Sequence, residues 1–256
     1  MLDELVGGAL ADAAVRRERH PLNQVEAEAL AQTPPLDALA ALSPRDSVHI
    51  IAEVKRSSPS KGVLAAIVDP VALALDYQSG GASAVSVLTE GRRFGGSLED
   101  LVAIRHAVRI PVLRKDFIAE PYQLFEARAA GADLALLIVA ALDDATLAEL
   151  FTLTNELGMT ALVETHSADE VERALDLGAD LIGVNARDLS TFELDQDLFG
   201  TLADRIPSGV IRVAESAVKS AADVAHYRRA GADVVLVGEA LVTSDPVATL
   251  SEFLAV

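Results

Sequence analysis

One pattern recurs along the chain in AAGADLALLIV (129–139), DLGADLIGVN (176–185) and RAGADVVLVG (229–238), with a looser copy in SGGASAVSVL (79–88). In each copy a helical stretch runs into a glycine, which tolerates the positive φ that often ends a helix, and a short apolar run follows. Apolar runs of this length are typical of parallel strands that are buried on both faces. The pattern therefore predicts an alternation of helices and parallel strands.

Four other apolar runs complete a set of eight strands. They lie at 48–54 (VHIIAEV), 110–116 (IPVLRKD), 159–164 (MTALVE) and 209–215 (GVIRVAE). From Glu53 in the first run to Gly238 after the last is 185 residues over seven steps, about 26 for each strand–helix unit. Units of this length close into a barrel, and the first strand lacks the G-x-G-x-x-G that follows it in many open doubly wound sheets. The sequence predicts an α/β chain with a single (β/α)₈ barrel.

Helix signals fill the segments between these strands. Residues 146–157 place one set of side chains on the same helical face: Leu147, Leu150, Phe151, Thr154 and Leu157. Pro121 suits the first turn of the helix after the third strand. Ser167 and Glu170 form an S-x-x-E sequence, which predicts a reciprocal capping box.

Residues 1–47 precede the first strand and are predicted to form a helical extension, separate from the barrel of residues 48–256. The extension has two helical stretches and a break at Thr33-Pro34-Pro35. From its residues alone it fits two roles equally: a lid over the barrel mouth or a plug packed against the bottom of the barrel.

The composition excludes several classes of protein. With 256 residues, 51% of them hydrophobic, the chain can bury a large core and is not disordered. The formal net charge of −18 argues against nucleic acid as a partner, because phosphates repel an acidic surface. The absence of cysteine rules out disulfides, thiolate metal sites and cysteine nucleophiles.

The chain is predicted to work in the cytoplasm without contact with a membrane. Its longest uninterrupted apolar run, at 134–142, has nine residues and is too short to cross a bilayer. The first residues carry acidic side chains, and no cleavage pattern follows an apolar core, so they do not resemble a signal peptide. We expect a monomer or a weak homo-oligomer.

Ionisable side chains cluster where the predicted strands end, which is where (β/α)₈ barrels carry their catalytic residues. Reading these ends in order gives Glu53, Lys55, Lys115, Glu164, Asn185, Glu215 and Ser216. Buried charges are costly unless they are paired, so stability alone does not explain so many at one mouth. A lysine in a partly dry pocket can donate a proton and a glutamate can accept one, which predicts acid–base chemistry on a neutral or anionic molecule.

Metal binding fits this mouth less well than acid–base chemistry does. The five histidines are scattered, no two of them have the spacing of metal ligands, and His166 fits a turn between a strand and a helix. Carboxylates can hold Mg²⁺, but that role would leave the lysines unexplained.

A phosphate site is predicted after the last two strands. Barrel enzymes often bind phosphate with the loops after the seventh and eighth strands, which are here AESAV (214–218) and VGEALV (237–242). Gly238 would let the backbone approach the anion closely. The SSPSKG segment (57–62) fits an anion-binding loop and an ordinary solvated loop equally well.

At these same residues the chain resembles the indole-3-glycerol-phosphate synthases. The matching motifs run in order over about residues 48–245: IIAEVKRSSPSKG (50–62), SVLTEGRRFGGS (86–97), IPVLRKDF (110–117), LLIVAAL (136–142), ALVETH (161–166), IGVNARDL (182–189), VAES (213–216) and VLVGEALV (235–242). The resemblance implies the conversion of 1-(2-carboxyphenylamino)-1-deoxyribulose 5-phosphate to indole-3-glycerol phosphate, with release of CO₂ and water and without metal or organic cofactor. The expected partner is therefore a small phosphorylated substrate.

The resemblance also implies roles for the residues at the strand ends. Lys115 would be the general acid that activates the ketone for ring closure, and Glu164 would be an acid–base partner in the later dehydration. Lys55 would pair with the substrate's anionic groups or donate a proton itself, with Glu53 and Asn185 positioning it.

Further residues would contact the substrate. Glu215 and Ser216 would line the pocket beside the leaving hydroxyl, and Phe94 and Phe117 would form walls around the anthranilate ring. The remaining expected contacts are Ser58, Arg187, Ala217, Gly238 and Glu239.

Two residues depart from the family pattern in the predicted phosphate loops. Ala217 stands where glycine is usual, so its methyl group would crowd the phosphate or change the loop. Glu239 stands where many members have serine, and its carboxylate must point away from the phosphate. Both departures bear on affinity more than on chemistry. The family's extra helices cover the barrel mouth, which favours the lid as the role of residues 1–47.

Two alternative functions stay open on this reasoning. Phosphoribosylanthranilate isomerase is a related barrel, but that family uses a cysteine base, which this chain lacks, and the chain is too short for a fused second barrel. A catalytically silent barrel that binds a phosphorylated metabolite would be expected to lack at least one strand-end acid or base, and all are present.

Overall fold

The structure is a computed structural model that describes residues 1–58, 62–189, 191 and 193–256. Eight parallel strands close into a barrel, in which each strand pairs with the next along the chain and the last pairs with the first. The strands are β1 (His49–Val54), β2 (Ala84–Leu88), β3 (Val112–Lys115), β4 (Leu134–Ile138), β5 (Thr160–Thr165), β6 (Leu181–Asn185), β7 (Ile211–Glu215) and β8 (Val234–Val237). The predicted (β/α)₈ barrel is confirmed.

The strands alternate their side chains between two layers of core. All six residues of β1 are buried, with Ile50 in the layer between strands and helices and Ile51 in the layer that fills the barrel. Because side chains repeat with a period of two along a strand, Glu53 continues the inward face of Ile51. The inward positions at the strand ends therefore carry polar groups into the barrel mouth.

Three helices precede the first barrel strand, and the others follow it and pack around the barrel. They are α1 (Leu2–Arg19), α2 (Leu22–Ala31), α3 (Ala38–Ala41), α4 (Pro70–Ser79), α5 (Leu98–Ala107), α6 (Pro121–Ala129), α7 (Asp144–Glu156), α8 (Ala168–Asp176), α9 (Leu198–Ala203), α10 (Ala221–Arg229), α11 (Glu239–Val242) and α12 (Pro246–Leu254). Pro121 occupies the start of α6, as predicted. Asp143 caps α7, where its side chain accepts from the backbone N–H of Thr146.

The four repeat glycines have the backbone conformation that the pattern predicts. Gly81, Gly131, Gly178 and Gly231 have φ values of 95°, 90°, 77° and 96°. Each lies between the end of a helix and the start of a buried strand. A side chain would strain the backbone at these angles, so glycine marks each helix-to-strand boundary.

The predicted capping box at α8 forms only in half. Ser167 is the N-cap, and its hydroxyl oxygen accepts from the backbone N–H of Glu170. The Glu170 carboxylate instead accepts the backbone N–H of His166 at 2.8 Å and lies 3.2 Å from the ring Nδ1 of His166. The prediction of a reciprocal box was wrong because the neighbouring imidazole offers this carboxylate a second partner.

The N-terminal extension runs from the mouth of the barrel to its bottom. Leu5 of α1 lies in the wall of the mouth, α2 packs along α6, and the backbone N–H of Leu36 donates to Asp133 just before β4. A third helix, α3, follows the proline break, and Leu42 beyond it is fully buried in the core that fills the barrel. The extension thus has elements at both ends of the barrel, and its separation as a domain at residue 47 stays a prediction.

A short hairpin outside the barrel follows β1. Ser57–Ser58 pairs antiparallel with Gly62–Val63. The sequence did not predict these two strands. Residues 59–61 of the predicted anion-binding segment lie outside the described residues. Among the residues that the structure describes, no helix combines the length and hydrophobicity that a membrane crossing requires.

Candidate active site

A cavity of about 250 Å³ opens at the carboxyl ends of the strands. Every residue predicted from the sequence to act on or bind the substrate lines it. These residues are Glu53, Lys55, Ser58, Phe94, Lys115, Phe117, Glu164, Asn185, Arg187, Glu215, Ser216, Ala217, Gly238 and Glu239. The barrel therefore brings the predicted set to one place, while their roles stay predictions.

Lys115 lies at the centre of the polar floor. Its Nζ is 3.1 Å from Oε2 of Glu164 and 3.4 Å from Oε2 of Glu215. Burial alone would lower the pKa of Lys115, but the carboxylates of Glu164, Glu215 and Glu53 outweigh burial and raise it above its usual value. The side chain, which is 15% exposed, therefore carries an ammonium group that faces three carboxyl groups.

Glu164 and Glu215 are both almost fully buried but have opposite pKa shifts. Burial opposes the charge of Glu164, yet Lys115 and His166 outweigh it and lower the pKa of Glu164. Burial and then the negative charge of Glu164 raise the pKa of Glu215 to about 8. Both oxygens of Glu215 are buried without a hydrogen-bond partner among the described residues. The two shifts favour the ionised form of Glu164 and the protonated form of Glu215.

Glu53 and Lys55 form a second charged pair on the same floor. Lys55 Nζ lies 2.6 Å from Oε1 of Glu53. Burial opposes the charge of Glu53, but Lys55 and Lys115 outweigh it and lower the pKa of Glu53. A Cβ atom on Gly238 would lie 2.7 Å from Oε1 of Glu53 and 3.0 Å from Nζ of Lys55. Glycine at the end of β8 therefore leaves the space that this ion pair fills.

Asn185 is held by two hydrogen bonds at the end of β6. Its Oδ1 accepts from the Ser216 hydroxyl at 2.7 Å and from the backbone N–H of Arg187 at 3.0 Å. These two bonds direct the amide nitrogen to Glu164, whose charge it stabilises. The side chain is thus placed to stabilise Glu164, and its expected role in positioning Lys55 stays a prediction.

The upper wall of the cavity is apolar. The rings of Phe94 and Phe117 lie 6.1 Å apart between centroids and are tilted by 42°. Leu5 adds an apolar contact from α1. The sequence analysis did not single out Leu5, although the spacing of Leu2, Leu5 and Ala9 indicates the buried face of a helix.

The loop after β7 has an unusual backbone. Ser216 and Ala217 have φ values of 70° and 58°, in the left-handed region that favours glycine. Ala217 therefore keeps the conformation that a glycine would adopt there with less strain. Lys219 from the same loop also lines the cavity, which the sequence analysis did not predict. Its place four residues after the end of β7 was the available signal.

A buried network supports Lys115 from behind. Arg114 is fully buried, and its Nη2 donates to Oδ2 of Asp116 at 2.9 Å. Its Nε donates to the hydroxyl of Thr89, which itself donates to Asp116. The alternation along β3 turns Arg114 outward and Lys115 inward, so the network fixes the strand end that carries Lys115.

The donor set of this cavity also bears on metal binding. The part of the chain that the structure describes contains no group of three or more His, Cys, Asp or Glu residues arranged to hold a metal ion. The expectation that no cofactor takes part stays a prediction.

A family model matches this geometry over almost the whole chain. The model of indole-3-glycerol phosphate synthase covers residues 2–253. The chain belongs to the indole-3-glycerol phosphate synthase family. As a member it is a carboxy-lyase of tryptophan biosynthesis, and the resemblance of its motifs to this family is confirmed. The isomerase and the silent barrel are therefore set aside.

Individual relatives agree with this assignment. An indole-3-glycerol phosphate synthase of Leifsonia xyli subsp. xyli is 72% identical over 253 residues, which are 99% of this chain and 97% of the relative. The synthase of Mycolicibacterium smegmatis is 57% identical, over 96% of this chain and 90% of the relative. That of Mycobacterium tuberculosis strain H37Rv is 55% identical, over 98% and 93%.

Solved structures with little sequence identity share the fold. A thiamine phosphate pyrophosphorylase from Pyrococcus furiosus has a TM-score of 0.59 at 14% identity, over 80% of this chain and 93% of that one. An N-acetylmannosamine-6-phosphate 2-epimerase from Clostridium perfringens has a TM-score of 0.60 at 13% identity, over 82% and 93%. These likenesses show the barrel alone, whereas the synthase family follows from the sequence relatives.

Proposed function

We propose that this cavity closes the indole ring of 1-(2-carboxyphenylamino)-1-deoxyribulose 5-phosphate and releases CO₂ and water. The observation that carries the proposal is the position of Lys115 Nζ, 3.1 Å from the carboxyl group of Glu164 and 3.4 Å from that of Glu215. Ring closure followed by dehydration needs a cation beside the ketone, a proton acceptor and a proton donor. The three side chains supply these groups.

Lys115 acts in the first step. As the ring carbon attacks the ketone carbon, the carbonyl oxygen gains negative charge, which the ammonium group stabilises. A lysine with a raised pKa is a weak acid, so it gives up its proton only as the oxygen becomes a strongly basic alkoxide. The carboxylate of the ring then leaves as CO₂, and the electrons of the broken bond restore the aromatic ring.

Glu164 and Glu215 act in the dehydration. The ionised Glu164 accepts a proton from the carbon beside the ring nitrogen, and the neutral Glu215 protonates the leaving hydroxyl, which departs as water. The opposite pKa shifts of the two groups support this division, because each starts in the protonation state that its step requires.

The shape of the cavity supports one orientation of the substrate. The anthranilate ring lies against Phe94 and Phe117, and the phosphate lies by the loops after β7 and β8. Lys55 and Lys219 line the cavity as cations that can pair with the anionic groups. A cytoplasmic location and a monomeric or weakly associated state stay predictions.

The assay is the growth of indole fluorescence on mixing purified protein with the substrate in EDTA. We expect turnover that is lost in Glu164→Gln and kept in Glu252→Gln, an exposed control on α12. Turnover that stops in EDTA, or that survives unchanged in Glu164→Gln, would contradict the proposed metal-free acid–base mechanism. Binding of the substrate without turnover by the wild-type protein would also contradict the proposed mechanism.

A further inference from the structure

His166 lies beside the acid–base pair but has no part in the steps above. It follows the last residue of β5 and precedes Ser167, the N-cap of α8. Its side chain is 12% exposed, and its Nε2 lies 3.4 Å from Oε1 of Glu164. This nitrogen is buried and makes no hydrogen bond of normal geometry with any described residue. The ring therefore faces Glu164 with an unsatisfied polar atom.

Glu170 holds the other side of the imidazole. Its Oε2 lies 3.2 Å from Nδ1 and accepts the backbone N–H of His166 at 2.8 Å. This is the carboxylate that leaves the predicted capping box unfinished. A carboxylate at one ring nitrogen fixes the orientation of the ring and stabilises its protonated form. The arrangement places a cation between two carboxylates.

His166 stabilises the negative charge of Glu164 more than that of Glu215. Lys115 contacts both carboxyl groups at nearly the same distance, 3.1 Å and 3.4 Å, so it scarcely distinguishes them. The ring of His166 forms its contact with Glu164. Two carboxylates this close cannot both ionise cheaply in a buried site, and the one with the additional cationic neighbour keeps its charge.

We propose that His166 is a positioning residue: as an imidazolium held by Glu170, it assigns the negative charge of the buried pair to Glu164 and the shared proton to Glu215. The inference rests on the proposed function only for its catalytic consequence, because the charge assignment itself concerns the substrate-free protein. Asn185 also stabilises the charge of Glu164, so loss of the imidazolium would weaken this preference, and a larger part of the enzyme would begin in the wrong state.

The groups that face His166 agree with this charge. They are Glu164 on β5, Glu170 on α8 and Glu215 on β7, with Lys115 on β3 behind Glu164. Burial would lower the pKa of His166, but the interactions with Glu170, Glu164 and Glu215 outweigh burial and raise it. The ring is therefore protonated over a wider pH range than a free imidazole, and it loses its charge only as the pH rises through this raised pKa.

The test titrates the carboxyl groups of the substrate-free protein by carbon-13 NMR with side-chain carboxyl-labelled glutamate. Glu164→Gln and Glu215→Gln identify the two signals. We expect His166→Asn to raise the pKa of Glu164 by on the order of one unit, as the loss of a neighbouring cation does. His106→Asn, which changes an exposed ring on α5, is the matched control and leaves both signals in place. An unchanged titration of Glu164 in His166→Asn would overturn the proposal.

The pH profile of kcat provides a second measurement, which a change in packing alone would not shift. We expect the pH profile of kcat for His166→Asn to differ from wild type, with a lower maximum and little change in KM. If this variant does not fold, Glu170→Gln carries the same test, because it leaves the ring in place and weakens its charge; an unchanged Glu164 titration there would also contradict the proposal. The expected titration in a protein that shows no turnover would uphold the charge assignment and contradict the proposed function instead.

Discussion

A Cβ atom on Gly183 would overlap Oε1 of Glu215. Gly183 lies on the inner face of β6, two residues before Asn185, and Glu215 ends the neighbouring strand β7, opposite Asn185. The side chain of Glu215 therefore occupies the space that any residue other than glycine would fill on β6. The position of Glu215, the proton donor of the proposed dehydration, therefore depends on the absence of a side chain at Gly183 in the neighbouring strand β6.

Gly183→Ala is expected to displace Glu215 and lower kcat by at least tenfold. The methyl group forces the carboxyl group away from Lys115, which removes the donor from its place without changing its chemistry. The measurement is the steady-state rate of indole formation. Gly209→Ala is the control, because a Cβ atom there meets no atom within 4 Å. Equal rates for both variants would show that the position of Glu215 does not limit the reaction.

Glu215 is also expected to make stability depend on pH. Its pKa in the folded protein, about 8, is above its ordinary value of 4.5. The folded state therefore binds the proton more tightly than the unfolded state, and the contribution of Glu215 to stability falls as the pH rises from about 4.5 to about 8. Denaturant unfolding at several pH values should show a smaller loss over this range for Glu215→Gln than for wild type. Parallel curves for the two proteins would mean that Glu215 is ionised in the folded state.

Ala217→Gly is expected to stabilise the fold. Ala217 has a φ of 58°, where an alanine is strained and a glycine is not. Relief of this strain should raise the free energy of unfolding by about 0.5–1 kcal/mol, after the greater freedom of glycine in the unfolded chain is taken into account. Ala217→Val should lower it, because a β-branched side chain tolerates this angle poorly. Equilibrium unfolding measures both, and a loss of stability in Ala217→Gly would contradict the strain argument.

The N-terminal extension is expected to have separable effects at its two ends. Leu5→Ala should raise KM, because Leu5 forms part of the cavity wall. Leu42→Ala should instead destabilise the protein by about 2–5 kcal/mol, the usual result of truncating a fully buried leucine, and leave KM unchanged. Deleting residues 1–40 would mix the two effects, since it removes α1, α2 and most of α3. A rise in KM in Leu42→Ala, or none in Leu5→Ala, would contradict this division.

The sequence predicts which residues reach the site because the direction of strand side chains and the ends of helices follow from local sequence patterns. Strand period turns Glu53 inward, and glycine at positive φ marks the helix ends. Contacts between side chains of neighbouring strands depend on how the strands are staggered around the barrel, which no local pattern encodes. The overlap of a Gly183 Cβ with Glu215 and the contacts of Lys115 with Glu164 and Glu215 are of this kind.

The remaining differences arise where two local interactions compete. Glu170 can complete a capping box with Ser167 or bind His166, and the S-x-x-E pattern alone does not choose between these partners. Asn185 likewise has several polar neighbours at the end of β6, and the bonds to Ser216 and to the backbone of Arg187 decide its orientation.

The most direct test of the proposed mechanism is kcat for Lys115→Ala, with substrate binding measured separately. The account predicts a fall of roughly 10²–10⁴-fold, the contribution of one general acid, with binding retained within a few-fold. Arg109→Ala, which removes an exposed cation just before the same strand, should keep normal turnover. Near-normal kcat in Lys115→Ala would contradict the assignment of Lys115 as the group that drives ring closure.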